Sequence, residues 1–440
     1  MTLIDLGDLS GPTTTEPTAR RRPAGLRRRA AGRWWSIGLV TVAALVALAG
    51  AAPPGTRVHA TVPAALGSEL FLAEEYIFTI TPAPRVTDGT QELAAYPRPT
   101  RATVAPRQLT ALWRIPVPPG HRFYRVETVA GDGVLLAMVP PGNTGGDSQT
   151  VLLDVRTGQE RWRTVGFGTP DPSGRVLLQT FGFEEPMTLR AVDLADGREL
   201  WSTTSPPGWL QHHWRDGVID AIVLSTNAGD VDVLDATTGE VRHRLPRSAA
   251  HPSAYQQSSL VGDLVLVVSN SRVVTAYGID GLVRRWQTTL PLAEQVTRCG
   301  ELLCVQAGGG GTHVLDPATG ALRWRTDVDA ELLRVTGARG LAQLRGSPGR
   351  ELVLLDSATG AVLTDYAAWA SVASYEQEQE LYGVHTIPEV GLVLARLDPA
   401  QAQPRRLDVL AGAAGGCQSR DGLIGCRRHD GGFGVWQLPE

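Results

Sequence analysis

Short apolar runs alternate with polar turns along most of the chain, and the runs recur in pairs. The clearest pairs are Val151-Leu-Leu-Asp-Val-Arg-Thr-Gly-Gln-Glu-Arg-Trp162 and His313-Val-Leu-Asp-Pro-Ala-Thr-Gly-Ala-Leu-Arg-Trp324. In each pair an apolar run ends on Asp, Thr-Gly closes a turn, and a second run carries Trp four residues after the Gly. This pattern predicts a β-hairpin whose outer strand bears a large aromatic side chain.

The hairpin occurs seven times, and its copies align on one turn position. That position holds Gly158, Gly197, Gly239, Gly281, Gly320, Gly360 and finally Ala402, in steps of 39, 42, 42, 39, 40 and 42 residues. A period near 40 that is built from strands predicts a β-propeller with one four-stranded blade per period. The Asp that ends the first run should cap the turn amides, and the Gly should take the left-handed backbone conformation. The other repeat residues are Asp154, Asp193, Asp235, Asp316, Asp356 and Asp398, followed by Trp162, Trp201, Trp324 and, one residue late, Trp286.

The predicted fold class is therefore an all-β propeller over residues 68–440, preceded by one transmembrane helix. The last run, Val435-Trp-Gln-Leu438, has no fourth strand after it. An open sheet edge would invite aggregation, so the missing strand must come from the N-terminal part. If the strand containing Trp113 supplies it, the propeller has eight blades, which is the number we expect from a range of seven to nine. If Val58 to Val62 supplies it instead, the number is nine.

The N-terminal segment predicts a membrane anchor. Residues 1–33 read as a disordered basic tail, 34–52 as an uncharged helix long enough to span a bilayer, and 53–67 as a linker. Arginines before the helix should hold the tail in the cytoplasm and place the propeller outside the membrane. A cleaved signal peptide remains the alternative, because Ala49-Gly-Ala51 resembles a cleavage site.

Charge and cysteine usage agree with an extracytoplasmic propeller. The first 35 residues hold seven Arg against three carboxylates, whereas the remainder holds 34 basic against 42 acidic side chains. An acidic propeller lacks the excess of basic side chains that is typical of a nucleic-acid-binding surface.

Asp421-Gly422 predicts a two-residue hairpin turn that places Cys417 opposite Cys426 at disulfide distance. Cys299 and Cys304 flank a similar turn and should also pair. Neither spacing is typical of a metal site.

The Asp-x-x-Thr-Gly-x-x-x-Trp pattern resembles the repeat of pyrroloquinoline-quinone (PQQ) type propellers, also called quinoprotein-dehydrogenase-like repeats. It is similar as well to the propeller subunit of the bacterial outer-membrane barrel-assembly machinery. The resemblance covers about residues 68–440 and implies that each Trp docks between neighbouring blades. It also implies, for the quinone enzymes, a disulfide between adjacent Cys and a calcium site with Asn and acidic ligands. Here no two Cys are adjacent and only three Asn occur, at Asn143, Asn227 and Asn270, so we predict no cofactor.

Three other motifs carry candidate chemistry, each with a plainer explanation. Gly308 to Gly311 lacks the Lys-Ser/Thr of a phosphate loop and predicts a flexible connection. His212-His213, between Trp209 and Trp214, suggests either a binding mouth or an ordinary packed loop. Glu376, Glu378 and Glu380 alternate, as along a solvated strand edge.

No pattern of catalytic residues accompanies these motifs. The sequence thus predicts a membrane-anchored, extracytoplasmic scaffold that binds an unidentified protein or ligand without catalysis. Two alternatives stay open: a PQQ- or metal-dependent oxidoreductase of the quinoprotein type, and an extracellular sensor.

Overall fold

In a computed structural model, the described part of the chain is built from β-strands. The described residues are 58–82, 90–103, 105–117, 119–130, 132–140, 148–180, 185–247, 256–345, 351–374, 380–401 and 403–438. The predicted tail and membrane helix, residues 1–33 and 34–52, lie outside them. Within the described residues no helix is long and apolar enough to cross a membrane.

Six four-stranded antiparallel sheets, named A to F in chain order, follow the first strand, β1 (His59–Val62). Sheet A consists of β2 (Glu69–Leu72), β3 (Tyr76–Pro82), β4 (Gln91–Pro97) and, after the short β5 (Arg107–Gln108), β6 (Trp113–Val117). Sheet B consists of β7 (Arg122–Val129), β8 (Gly133–Val139), β9 (Gln149–Asp154) and β10 (Glu160–Val165). Sheet C consists of β11 (Phe167–Asp171), β12 (Arg175–Gln179), β13 (Met187–Asp193) and β14 (Glu199–Ser205).

Sheets D to F repeat this order of strands. Sheet D consists of β15 (Gly208–Arg215), β16 (Val218–Thr226), β17 (Val231–Asp235) and β18 (Val241–Leu245). Sheet E consists of β19 (Gln256–Val261), β20 (Leu264–Ser269), β21 (Val273–Gly278) and β22 (Val283–Thr289). Sheet F consists of β23 (Ala293–Cys299), β24 (Leu302–Ala307), β25 (Thr312–Leu315) and β26 (Leu322–Thr326).

Two larger sheets complete the described strands. The seven strands of sheet G are β27 (Ala330–Thr336), β28 (Arg339–Leu344), β29 (Glu351–Asp356), β30 (Val362–Ser371), β32 (Tyr382–Ile387), β33 (Gly391–Arg396) and β34 (Arg405–Ala411). Sheet G is this large because the long β30 pairs with β29 and, at its end, also with β32. Sheet H adds β31 (Ala373–Ser374), β35 (Ala413–Arg420), β36 (Leu423–Arg428) and β37 (Phe433–Gln437). The order of its strands is β31-β35-β36-β37-β1-β5.

The core lies between the sheets, in a series of apolar clusters at successive junctions. Leu135 and Trp162 of sheet B, for example, pack against Val176 and Val192 of sheet C. The central strands are apolar on both faces because each sheet packs against a neighbour on either side. First strands of consecutive sheets also contact one another, as β15, β19, β23 and β27 do, so these strands surround the centre. This arrangement is a β-propeller.

The outer strand of sheet H comes from the N-terminal part, as predicted, but from β1. His59 pairs with Trp436 and Val62 with Phe433 in antiparallel register. The His59 and Trp436 rings stack with centroids 4.8 Å apart. The prediction that the Trp113 strand closes the ring is wrong, because β6 pairs with β4 as the outer strand of sheet A. Physically, β4 needs an outer partner, and β6 is the strand that follows it closely. The predicted linker over residues 53–67 thus contains the closing strand.

Both predicted disulfides are present. Cys299–Cys304 joins β23 to β24 with a Cα separation of 5.8 Å. Cys417–Cys426 joins β35 to β36 with a Cα separation of 4.1 Å. Arg420 pairs with Leu423 across the Asp421-Gly422 turn, as expected, and a bulge lies between Gly415 and Gln418. Each disulfide therefore closes a local hairpin.

Candidate functional site

The repeat Asp residues organise the turns at one edge of the sheets, which we call the turn edge. Asp154 Oδ1 accepts hydrogen bonds from the backbone N–H groups of Arg156 and Thr157 at 3.1 and 3.0 Å. Its Oδ2 accepts one from Arg161 at 2.7 Å. Asp235, Asp316 and Asp356 accept equivalent backbone hydrogen bonds, and Asp193 accepts one from Ala195. These carboxylates are engaged in holding the backbone.

The arginine seven residues after the Asp adds charge to three of these turns. Arg161, Arg242 and Arg323 each form an ion pair with the Asp of their own turn. The hydrogen bond from Arg161, followed by those from Thr157, lowers the pKa of Asp154 to about 2. Arg323 likewise lowers the pKa of Asp316. Asp154 and Asp316 are therefore poor proton acceptors and unsuited to general base catalysis.

The repeat Trp of one sheet packs on the turn glycine of the next sheet. A Cβ at Gly197, where φ is +73°, would lie 2.9 Å from Cγ of Trp162. The Trp162 indole Nε1 donates a hydrogen bond to the carbonyl oxygen of Leu194 at 2.9 Å. Gly therefore serves two purposes at this position: it adopts a left-handed conformation and leaves room for the indole.

The same docking recurs at three further junctions. The pairs are Trp113 on Gly158, Trp201 on Gly239 and Trp286 on Gly320, and in each the indole donates to the carbonyl of the residue after the repeat Asp, namely Val155, Ala236 and Pro317. The docking that the resemblance implied is thus observed.

Two junctions depart from this geometry. His243 replaces Trp before Gly281, and a Cβ at Gly281 would meet only Val283, at 3.7 Å. Trp324 is buried, but within the described residues its Nε1 meets no acceptor, and Gly360 lies against the backbone of Arg325. In the described residues, neither junction has the indole hydrogen bond that the other four share.

His212 and His213 both lie in β15 and have different surroundings, as neighbouring residues of a strand should. His213 is 2% exposed and contacts Asp220 through Nδ1 and Asp263 through Nε2, the latter at 2.9 Å. Burial lowers the pKa of His212 to about 4, and the positive charge of Arg125 adds to this effect. The pair therefore joins sheets D and E at one position and presents a neutral imidazole at the other.

A cleft of about 760 Å³ opens at the opposite edge, which we call the cleft edge. It lies where the first strands of sheets D and E begin, together with the loop between β16 and β17 and Gln295 of β23. Its lining residues are Trp209, Gln211, Ser225, Thr226, Asn227, Ala228, Gly229, Arg247, Gln256, Gln257, Ser258, Ser259 and Gln295. This volume falls within the range that small-molecule sites occupy.

The cleft edge also carries an exposed tyrosine at the junction of sheets B and C. Tyr124 is 60% exposed near the start of β7, and its ring meets the ring of the half-buried Phe167 edge-on, with centroids 6.1 Å apart. The buried clusters described above show that these sheets can bury their apolar side chains. An aromatic side chain left in solvent on a strand is typical of an interaction surface.

The glycine run and Glu380 lie in a loop and in an ion pair, respectively. Gly308 to Gly311 form the connection from β24 to β25, with φ values of +90° and +85° at Gly310 and Gly311. Glu380 accepts a hydrogen bond from Tyr382 and pairs with Arg396. Glu376, Glu378, Asn143 and Ala402 lie outside the described residues.

The described residues do not fit the quinone and calcium that the resemblance implies for the enzymes. The cysteines are occupied in two hairpin disulfides, so none can form a bond between adjacent cysteines. In the described ranges, no group of three His, Cys, Asp or Glu is arranged to hold a metal ion. Asn227 lies in the polar cleft, and Asn270 lies in the turn between β20 and β21.

The sequence identified the turn edge but missed the cleft edge. The Asp, Gly and Trp positions recur at a fixed period, whereas the cleft residues come from three sheets and share no motif. The sequence places Trp113 in an outer strand but does not predict that it docks on Gly158. The signal that could have predicted this docking is the position of Trp113 just before the first repeat. Trp209 stood out only as part of the His212-His213 group.

One family model and several solved structures are similar to this chain. A family model described as outer membrane protein assembly factor BamB matches residues 102–299 and 273–388. Similar solved structures are BamB from Moraxella catarrhalis (14% identity, 72% of this chain and 96% of that chain, TM-score 0.42), Saccharomyces cerevisiae Sqt1 (10%, 88% and 96%, 0.47) and a europium-containing methanol dehydrogenase (9%, 73% and 83%, 0.42). At these scores the structural likenesses carry no functional argument. No curated protein sequence matches the chain.

Proposed function

The chain belongs to the family of the outer membrane protein assembly factor BamB, and from that premise we propose that it is a membrane-anchored, extracytoplasmic scaffold that binds another protein. The family description names an assembly factor, which is a role of binding and positioning. The turn-edge carboxylate of Asp154 holds the backbone, whereas the cleft edge carries exposed aromatic side chains, Tyr124 and Trp209, that are available for recognition. A rigid propeller with variable connections suits that role.

The observation that carries the proposal is the exposed Tyr124 ring, which is supported edge-on by the half-buried Phe167. Aromatic side chains held on rigid strands lose little conformational freedom on binding, and they dominate the energy of many protein interfaces. We propose that this pair is the centre of the contact surface for the partner. The charged side chains around it would form the polar rim.

We further propose that the ring has nine blades. Sheets A to F account for six, sheet G divides into two at β30, and sheet H with β1 accounts for the ninth. The apolar clusters support this number, since they link consecutive sheets and include one that joins Leu70 of sheet A to Val435 of sheet H. Closure by β1 also explains why no strand edge is left open between the two ends of the chain.

Residues 34–52 would anchor the protein, with residues 1–33 inside the cell and the propeller outside. The uncharged stretch and the preceding arginines support this orientation. Protease added to intact cells should then remove the propeller and leave a small N-terminal fragment. A mature protein that begins near Ala52 would contradict the anchor.

Site-specific photo-crosslinking in cells tests the binding role. A photoreactive residue at position 124 should give a discrete adduct with an envelope protein, and Phe167→Ala should abolish it. The matched control is position 322 on an outer strand, where Leu322 is also exposed and should give no adduct. Absence of the adduct at 124, or the same adduct at both positions, would refute the proposed surface.

A further inference from the structure

The polar cleft between sheets D and E has a composition that selects one class of ligand. Its side chains include four glutamines, three serines, a threonine and an asparagine, together with Arg247 and Trp209. Among the described residues the lining has no carboxylate, and Arg247 already donates to the carbonyl oxygen of Ala228 at 3.1 Å. The lining disfavours a cation because it offers no opposite charge. It also disfavours a polyanion, because it offers a single guanidinium and sites for polyanions usually have several. An apolar ligand would leave many amide and hydroxyl groups desolvated.

Trp209 adds a flat apolar surface to this polar, hydrogen-bonding lining. It stands at the start of β15, paired with Ser225, and is 66% exposed. An indole beside amide and hydroxyl groups matches a ring that has an apolar C–H face and hydroxyl groups at its edge. A pyranose has both features. The exposure of Trp209 beside the cleft shows that its indole is not used for packing in the core.

The walls of the cleft are fixed by hydrogen bonds. Gln211 Oε1 accepts the backbone N–H of Leu260 at 2.7 Å, which orients its amide across the junction of sheets D and E. The hydroxyl groups of Ser225 and Ser258 hydrogen-bond to each other across the same junction. The Thr226 hydroxyl accepts the backbone N–H of Asp230 at 3.0 Å. Because these groups are ordered in advance, little conformational entropy is lost when a ligand binds.

We propose that this cleft is a binding site for a short neutral saccharide, with Trp209 stacking on one sugar ring and the glutamine and serine side chains hydrogen-bonding to its hydroxyl groups. The site goes beyond the protein-binding surface at Tyr124, which lies at a different junction of the ring. A saccharide site on an extracytoplasmic protein would allow it to contact a polysaccharide while it holds a protein partner.

The test uses the ectodomain, residues 53–440, with a panel of neutral oligosaccharides built from glucose, mannose, galactose or arabinose. Isothermal titration should detect binding of at least one of them, accompanied by a change in tryptophan fluorescence. Trp209→Ala should weaken that binding at least tenfold, and Gln295→Leu should weaken it to a smaller extent. Trp214→Ala is the matched control, because Trp214 is also exposed, at 50%, near the other end of the same strand, and it should leave the affinity unchanged.

The variants must retain the parent melting temperature, so that loss of binding is not loss of fold. Failure of the whole panel to bind, or equal affinity in the parent and Trp209→Ala, would overturn the proposal. Binding of extended peptides at Trp209 in place of sugars would overturn it as well. Crosslinking at position 124 is independent of these outcomes, so the two proposals fail separately.

Discussion

Trp162 of sheet B rests on Gly197 of sheet C, and its indole Nε1 donates a hydrogen bond to Leu194, three residues before that glycine. The Trp stands four residues after the Gly within one copy of the repeat, yet it packs on the Gly of the next copy. The spacing from Asp to Gly shapes the turn, and the spacing from Gly to Trp brings the indole to the next turn. The repeat residues therefore form both the turn within one blade and the contact between neighbouring blades.

Replacing the turn glycine measures the docking directly. Gly197→Ala and Gly281→Ala both force a Cβ into a left-handed conformation, at a cost of roughly 1–2 kcal/mol each. Only Gly197→Ala also collides with an indole, which should add about 1–3 kcal/mol of overpacking. Chemical denaturation gives the free energy of unfolding of both variants. Equal losses would show that Trp162 does not constrain position 197.

Shortening the indole tests the hydrogen bond to the next blade. Trp162→Phe leaves the Leu194 carbonyl without its donor, whereas Trp324→Phe removes an N–H that meets no acceptor in the described part of the chain. Trp162→Phe should therefore cost about 1–2 kcal/mol more in free energy of unfolding than Trp324→Phe. The reverse order in denaturant titrations would contradict the assigned hydrogen bond.

Removal of β1 tests ring closure. An ectodomain that begins at residue 64 lacks His59 and its stack on Trp436, so β37 should be left with an open edge. We expect loss of cooperative unfolding and concentration-dependent association, measured by thermal denaturation and light scattering. The control begins at residue 53 and should remain monomeric with a single transition. A shortened chain that behaves like the control would mean that another strand closes the ring.

Acidification should weaken the protein through His212. Its pKa is about 4 in the folded state and 6.5 ordinarily, so between these pH values the unfolded chain binds a proton that the folded chain does not. Stability should therefore be full above pH 6.5 and fall by up to about 3 kcal/mol as the pH drops towards 4. His212→Gln should flatten this slope, and His429→Gln, at an exposed position, should not. An unchanged slope in His212→Gln would contradict the assigned burial.

Local chemistry explains what could be predicted from the sequence. Asp154, Thr157 and Gly158 interact within five residues, so their turn can be deduced from order alone. The hairpin around Asp421-Gly422 is equally local, and so are both disulfides. Each of these features needs only the backbone geometry of a few consecutive residues.

The sequence predicted the wrong closing strand and did not predict the cleft, because both depend on contacts between residues that are distant in the sequence. His59 and Trp436 lie at opposite ends of the sequence, and β1 has only four residues, too few to outweigh the longer Trp113 strand as a candidate. Gln211, Ser258 and Gln295 line one cleft only because first strands of successive sheets meet around the centre. Their residue types are common on any surface, so no spacing marks them.

The central claim is that the propeller binds and does not catalyse, and a turnover assay tests it most directly. The purified ectodomain is incubated with pyrroloquinoline quinone, calcium, an artificial electron acceptor and a panel of alcohols and aldoses. We predict no reduction of the acceptor above the rate without protein, because the repeat carboxylates hold turns and the cysteines form hairpin disulfides. Reduction that requires the quinone and is lost when the quinone is omitted would contradict the scaffold and establish the protein as an oxidoreductase.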